Sequence, residues 1–247
     1  MNRIKKYLLA VFLLAISSTL LLSQEKNRVN QGQYWLSYTI NKKISPKWNT
    51  KISIADRRYF VNNRNHMFYI LGDATFKLNK SLSLTGGFMY FNLHRPSNPH
   101  SKIQVTQPEF RPYQKVSYRL KTGAKASLSF GLTIEERIRM RIVDNQRQGE
   151  YFTYLRFRNK VYFKYQISKK EARRPLFAYV YDDFMLHYGS TVKGNPFDQN
   201  RLGVGMEWKA SRNFSLKTEY IYWHQEIANS NTVFDRNIIN LSLVQNL

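Results

Sequence analysis

Charged residues of one parity recur in three consecutive stretches of this chain, and that spacing limits what they can do. Glu109, Arg111, Lys115 and Arg119 share one parity, as do Glu135, Arg137, Arg139 and Arg141, and then Arg156, Arg158, Lys160 and Lys164. Residues two apart lie on the same face of an extended strand, so each set forms a row. Arg201 and Glu207 form a shorter row that opposes Leu202, Val204, Met206 and Trp208. Two chemistries fit such rows. Carboxylates and guanidiniums on adjacent strands pair across the ladder and fill the inside of a fold with an ionic lattice. Alternatively, cations in excess line a water-filled space and select anions.

Other reactive groups are sparse. The chain has five histidines and no cysteine. That excludes thiol catalysis, cysteine-ligated metal and a disulfide framework. His66, His94, His100, His187 and His224 show no tight metal-ligand spacing. His187 near Asp182 and Asp183, and His224 near Glu219 and Glu226, are the acid–base candidates within strands. A lipid-modifying hydrolase with a Ser-His-acid site is therefore the enzymatic alternative, although no serine is marked as a nucleophile by sequence. No glycine loop has phosphate-cradling spacing. Gly86-Gly87 and Gly203-Val204-Gly205 read as strand glycines that relieve crowding at a curved wall. No cofactor and no metal are expected.

The rows need long strands to carry them. Residues 150–167 alternate Tyr151, Leu155, Phe157, Val161, Phe163, Tyr165 and Ile167 against Arg156, Arg158, Lys160 and Lys164. At about 18 residues this is far longer than a common strand of roughly 5 to 6. One apolar face and one charged face over that length suit the wall of a transmembrane barrel with a polar lumen. Eleven strand-like segments are legible, near 33–43, 47–60, 66–78, 81–93, 105–119, 125–142, 150–167, 175–188, 199–209, 213–227 and 234–246. Segment 175–188 has no clear outward face, and Glu136 falls on the apolar face of its strand. Compact turns follow the odd-numbered segments. Longer stretches follow the even ones, such as 94–104, 143–149 and 189–198. Short turns on one rim and longer loops on the other are typical of bacterial outer-membrane barrels, with the short rim periplasmic.

The N-terminus gives an address. Arg3, Lys5 and Lys6 precede an apolar run from Leu8 to Leu22, and small Ser23 is the expected last residue of a cleaved signal peptide, 1–23. The remainder, 24–247, has no apolar run long enough for a helical span and reads as one domain. The expected fold is all-β: a single up-and-down antiparallel transmembrane β-barrel. Because single-chain bacterial barrels usually have an even strand count, twelve strands are favoured and ten are the alternative. An extra strand would fall within 25–35, or the first segment would lie outside the wall. The 39 basic residues against 16 acids, net +23, are concentrated partly at the short turns. Lys42, Lys43, Lys47, Lys80, Lys121, Lys125, Lys169, Lys170, Arg173, Arg174 and Arg212 lie there with Glu171 the lone nearby acid. Ordinary solvation of turns accounts for them, and a basic rim facing anionic solutes or an acidic partner is the functional alternative.

Gln107-Pro-Glu109-Phe-Arg111-Pro-Tyr-Gln114, Ile134-Glu135-Glu136-Arg137, Tyr154-Leu-Arg156-Phe-Arg158, Asp182-Asp183-Phe184 and Gln199-Asn200-Arg201-Leu-Gly-Val-Gly205 succeed one another. This order resembles the domain-of-unknown-function family 2490 over essentially the whole mature chain. The resemblance implies an exported outer-membrane β-barrel and carries no established activity. The expected partners are outer-membrane lipid, lipopolysaccharide and small anionic solutes. The expected role is a small channel with a basic lumen or a structural envelope component. A soluble exported β-sandwich is the architectural alternative. Export and two-face alternation argue against a nucleic-acid partner despite the basic charge.

Overall fold

The two faces of the alternating segments are the two sides of one closed wall. The computed structural model describes residues 26–247 other than 191, 193 and 229. The segment read as a signal peptide, 1–23, lies outside the described residues. Eleven strands follow in chain order: β1 Asn27–Lys43, β2 Trp48–Tyr59, β3 Asn65–Lys77, β4 Leu82–Arg95, β5 Val105–Lys121, β6 Ala126–Val143, β7 Gln146–Gln166, β8 Leu176–Tyr188, β9 Phe197–Trp208, β10 Phe214–Glu226 and β11 Thr232–Asn246. Each strand bonds to its sequence neighbour, and β1 bonds to β11, so the sheet has no free edge.

The number is eleven, where the even-number rule favours twelve or ten. Among the described residues no further strand is present, and β1 belongs to the wall. It pairs antiparallel with β2, from Gln33↔Tyr59 to Lys43↔Asn49. On its other side it pairs in parallel with β11, from Asn27↔Thr232 to Asn41↔Asn246. An odd number of strands in a closed up-and-down ring forces one parallel neighbour pair, and the seam supplies it. Parallel bonds are slanted and slightly weaker. Side chains add to this seam: the Ser37 hydroxyl donates to the Ser242 hydroxyl at 2.7 Å and the Asn41 amide to Asn246 at 3.1 Å.

The turn rim and the loop rim fall as the connectors predict, with one exception. Residues 143–149 are not a loop. Asp144 and Asn145 take φ of 48° and 60°, so β6 and β7 join by a two-residue hairpin of the kind whose twist matches the flanking strands. Asp and Asn tolerate this left-handed backbone better than other side chains. The two strands therefore run on past their neighbours at the loop rim.

Burial is inverted relative to a water-soluble core. Glu109 and Glu135 are 0% exposed, whereas Leu202 is 52% and Val204 54% exposed. Leu84, Phe130, Leu132, Ile134, Val161, Leu241 and Leu243 also point outward. A contiguous apolar exterior of this kind is stable only when something other than water covers it. Glu136 is exposed on this outer face, as its parity predicts. Segment 175–188, unreadable in sequence, has Tyr179, Tyr181, Asp183, Met185 and His187 buried inside and Val180 and Tyr188 exposed outside.

Candidate functional site

Three neighbouring strands supply the centre of the lumen. β5 pairs with β6 so that Glu109 opposes Arg139, and β6 pairs with β7 so that Glu135 opposes Arg156. Glu109 accepts from three guanidiniums: Arg111 at 2.8 and 2.5 Å, Arg137 at 2.6 and 2.9 Å, and Arg139 at 2.8 and 2.6 Å. Six N–H groups on one carboxylate exceed its roughly four lone-pair sites, so this acceptor is saturated. Glu135 accepts from Arg111 at 3.2 Å and Arg158 at 3.3 Å, with Arg156 at 3.6 Å. The lattice then passes beyond the three strands. Arg158 grips Asp183 of β8 at 2.7 and 2.5 Å, and Arg156 reaches Asp198 of β9 at 2.5 Å. Lys160 lies 4.0 Å from Asp183, with its ammonium 3.5 Å from the centre of the Tyr181 ring.

Not every predicted residue joins this lattice. Lys164 and Glu207 pair at 2.7 Å near the turn rim, where Lys217 adds a 3.4 Å contact. Lys115 faces inward and lays its side chain across Gly131, and among the described residues it makes no ion pair. Arg119 is exposed at the turn rim. Arg141 is half open to solvent at the loop-rim side of the cavity and meets the exposed Glu150 at 3.5 Å. Arg201 makes no ion pair among the described residues and lies against indoles instead.

Those indoles belong to a second group that sequence reasoning missed. The Arg57 guanidinium sits 3.7 Å from the Trp35 ring centre, Arg201 4.4 Å from Trp223, and Arg236 4.3 Å from Trp223 on another approach. The rings stabilise cations without neutralising them. Arg236 also donates to Gln31 and Gln225, each at 2.7 Å. The Nε atoms of Arg57 and Arg201 have no acceptor among the described residues.

Above this assembly, toward the loop rim, is a cavity of about 690 Å³ lined by nine arginines, Arg57, Arg95 and Arg201 among them, and by two carboxylates, Asp198 and Glu226. Phe91, Tyr69 and Tyr154 add aromatic wall. At the turn rim a smaller cavity of about 320 Å³ is lined by Lys164, Lys209, Arg212, Lys217 and Glu207. A layer of tyrosines separates them. Tyr162 stacks on Tyr179 and Tyr181 with centroids 5.3 and 6.3 Å apart. Tyr113 donates to Asp73 at 2.5 Å and Tyr179 to Glu219 at 3.2 Å. Glycines seat these rings: a Cβ at Gly203 would lie 2.3 Å from the Tyr181 ring, and one at Gly87 2.7 Å from Tyr113.

A family model described as a protein of unknown function, DUF2490, matches residues 32–234. The chain belongs to the DUF2490 family. No curated protein matches it. Among solved structures, the β domain of the Bordetella autotransporter Brka is similar at 12% identity, covering 79% of this chain and 78% of that chain, with a TM-score of 0.44.

In this DUF2490 barrel the histidines flagged as acid–base candidates separate. His187 is buried, its Nδ1 3.9 Å from Asp198. His224 lies near the loop rim, its Nδ1 2.6 Å from Asp235, which also accepts from Tyr222 at 2.9 Å. Among the described residues neither histidine has a serine hydroxyl as a hydrogen-bond partner, and no group of three His, Asp or Glu side chains has metal-binding geometry.

Proposed function

We propose that this protein is an outer-membrane β-barrel, exported through a cleaved N-terminal signal, whose lumen binds small polyanionic solutes entering from the loop rim. The observation that carries the reading is the cavity with nine arginines and only two carboxylates in its lining. Glu109, Glu135 and Asp183 stand behind that lining and neutralise part of it, which leaves cations in excess. An unpaired guanidinium about 5 Å from a bound anionic group contributes about 3 kcal/mol at an effective dielectric constant near 20. Two such groups, Arg57 and Arg201, contribute about 6 kcal/mol before the costs of association, and the cation excess of the lining adds to this. The apolar exterior supports membrane insertion, with the turn rim periplasmic and the loop rim toward lipopolysaccharide.

The tyrosine layer favours binding over free passage, because it separates the two cavities along the lumen. The reading includes no catalytic step: labelled lipid is expected to be unchanged by the wild type and by His187→Ala and His224→Ala alike. Fluorescence titration of the refolded barrel with a pyrenetrisulfonate dye tests the proposal. Saturable binding at 50 mM salt that weakens steeply by 500 mM is expected. Absence of saturable binding refutes it. A steady anion-selective current in planar bilayers would replace an occluded binding lumen with a channel.

A further inference from the structure

The turn rim carries a second cationic array, with a geometry unlike that of the lumen. Fourteen lysines and arginines occupy the five turns and the strand ends beside them, and Glu171 is the lone acid among them. Every turn contributes: Lys42, Lys43 and Lys47, Lys77 and Lys80, Arg119, Lys121 and Lys125, Lys169, Lys170, Arg173 and Arg174, and Lys209 with Arg212. Among the described residues none of these cations makes a salt bridge, and all but Lys125 are exposed. The loop rim is mixed in sign. There Arg28, Arg58 and Arg141 are paired with Asp235, Asp56 and Glu150, while Arg64, Lys102 and Arg147 make no salt bridge among the described residues.

Plain solvation of turns explains exposure but not uniform sign. An acidic protein partner would meet a patch on one side, whereas these charges are spread around all five turns. Directly beside them on the outer wall stand Trp48, Tyr118, Tyr165 and Trp208, each between 42% and 46% exposed. Aromatic girdles of this kind sit at the boundary between hydrocarbon and headgroups. Lysine and arginine stems lie along apolar surface and lift their charges to the polar side of that boundary.

We infer that the turn rim is an annular binding surface for the phosphate headgroups of anionic phospholipids in the leaflet it faces. The inference rests on the membrane reading above and is independent of what the lumen binds. Each headgroup seated against one cation near the surface is favoured by about fivefold over a zwitterionic one. Debye screening, with a length of about 3 Å at 1 M salt, removes most of that preference.

The test uses the full chain refolded into phosphatidylcholine vesicles that contain spin-labelled phosphatidylglycerol or spin-labelled phosphatidylcholine. The motionally restricted fraction of each label reports the lipid shell. Expected are a clear preference for phosphatidylglycerol at low salt, near parity at 1 M, and a reduced preference in the variant Lys169→Gln, Lys170→Gln, Arg173→Gln, Arg174→Gln. Lys102→Gln with Arg147→Gln at the loop rim should leave it unchanged. Parity at low salt overturns the inference, as does a preference undiminished in the four-site variant. So does a glutamate-rich peptide that displaces the labelled lipid, since it would assign the rim to an acidic protein. Flotation separates the two readings. Failure to float even with zwitterionic vesicles refutes membrane insertion itself, whereas flotation with lipid parity refutes the annulus alone.

Discussion

Replacing Glu109 with glutamine should move stability and anion affinity in opposite directions. The carboxylate is fully buried and receives six hydrogen bonds from Arg111, Arg137 and Arg139. Glu109→Gln keeps the shape and removes the charge, so three guanidiniums share a buried site without their counterion. Breaking a buried ion pair by removing one partner costs about 3–5 kcal/mol. The saturation of Glu109 puts this case at the upper end. The same change removes a negative charge from behind the cavity lining. At about 8 Å and an effective dielectric constant near 20, that strengthens a bound anion by about 2 kcal/mol, or roughly thirtyfold. Urea unfolding of the refolded barrel, followed by the fluorescence of Trp35 and Trp223, measures the first effect, and dye titration measures the second. Glu150→Gln is the control. Its partner Arg141 is exposed, and a change of about 0.5 kcal/mol or less is expected. A loss of less than about 1 kcal/mol for Glu109→Gln would refute the reasoning, because it would mean that water replaces the ionic contacts without cost.

Further expectations concern the wall and the tyrosine layer. The chain has no native cysteine, so Ser37→Cys with Ser242→Cys should cross-link under mild oxidation, since these residues face each other across the parallel seam. Failure to form it, with the antiparallel control Ser53→Cys and Thr39→Cys forming normally, would contradict an eleven-strand closure. Gly203→Val should destabilise by about 1–3 kcal/mol through overpacking against Tyr181, and the surviving folded fraction should leak anions in planar bilayers as the ring is displaced. Glu136→Leu should stabilise the barrel in bilayers by about 1 kcal/mol, because Glu136 is exposed on the apolar outer face. No gain in urea midpoint would place Glu136 outside the hydrocarbon.

Much of the architecture was legible because a period of two survives translation from sequence to wall. The rows Glu109–Arg111, Glu135–Arg137–Arg139 and Arg156–Arg158 could be matched because hairpin-linked strands are neighbours. What escaped lies beyond the hairpin pairs. Asp198 of β9 meets Arg156 of β7 past the intervening β8, a next-but-one approach that no local pattern encodes. Arg57, Trp35, Arg201 and Trp223 come from β2, β1, β9 and β10, so their stacking needs the seam between β1 and β11. Asp183 was ambiguous because aromatic residues occupy both faces of β8. Arg119 and Arg141 have the right parity but lie at opposite rims, where an inward side chain is no longer enclosed. The Asp144-Asn145 hairpin escaped for a local reason: residues 143–149 read as a longer stretch, although Asp-Asn tolerates the left-handed backbone of a two-residue turn.

The most direct test removes equal charge from two places. Arg57→Ala with Arg201→Ala deletes two cations that the lumen holds without carboxylate partners, whereas Arg119→Ala with Arg147→Ala deletes two exposed at the rims and outside the cavity lining. Dye titration at 50 mM salt should show at least a tenfold loss of affinity for the first pair, with stability little changed, since no buried carboxylate is orphaned. The second pair should bind like the wild type to within about threefold, as expected for charges screened by solvent. Equal losses in both variants would contradict a specific lumen site and reduce the binding to net charge alone.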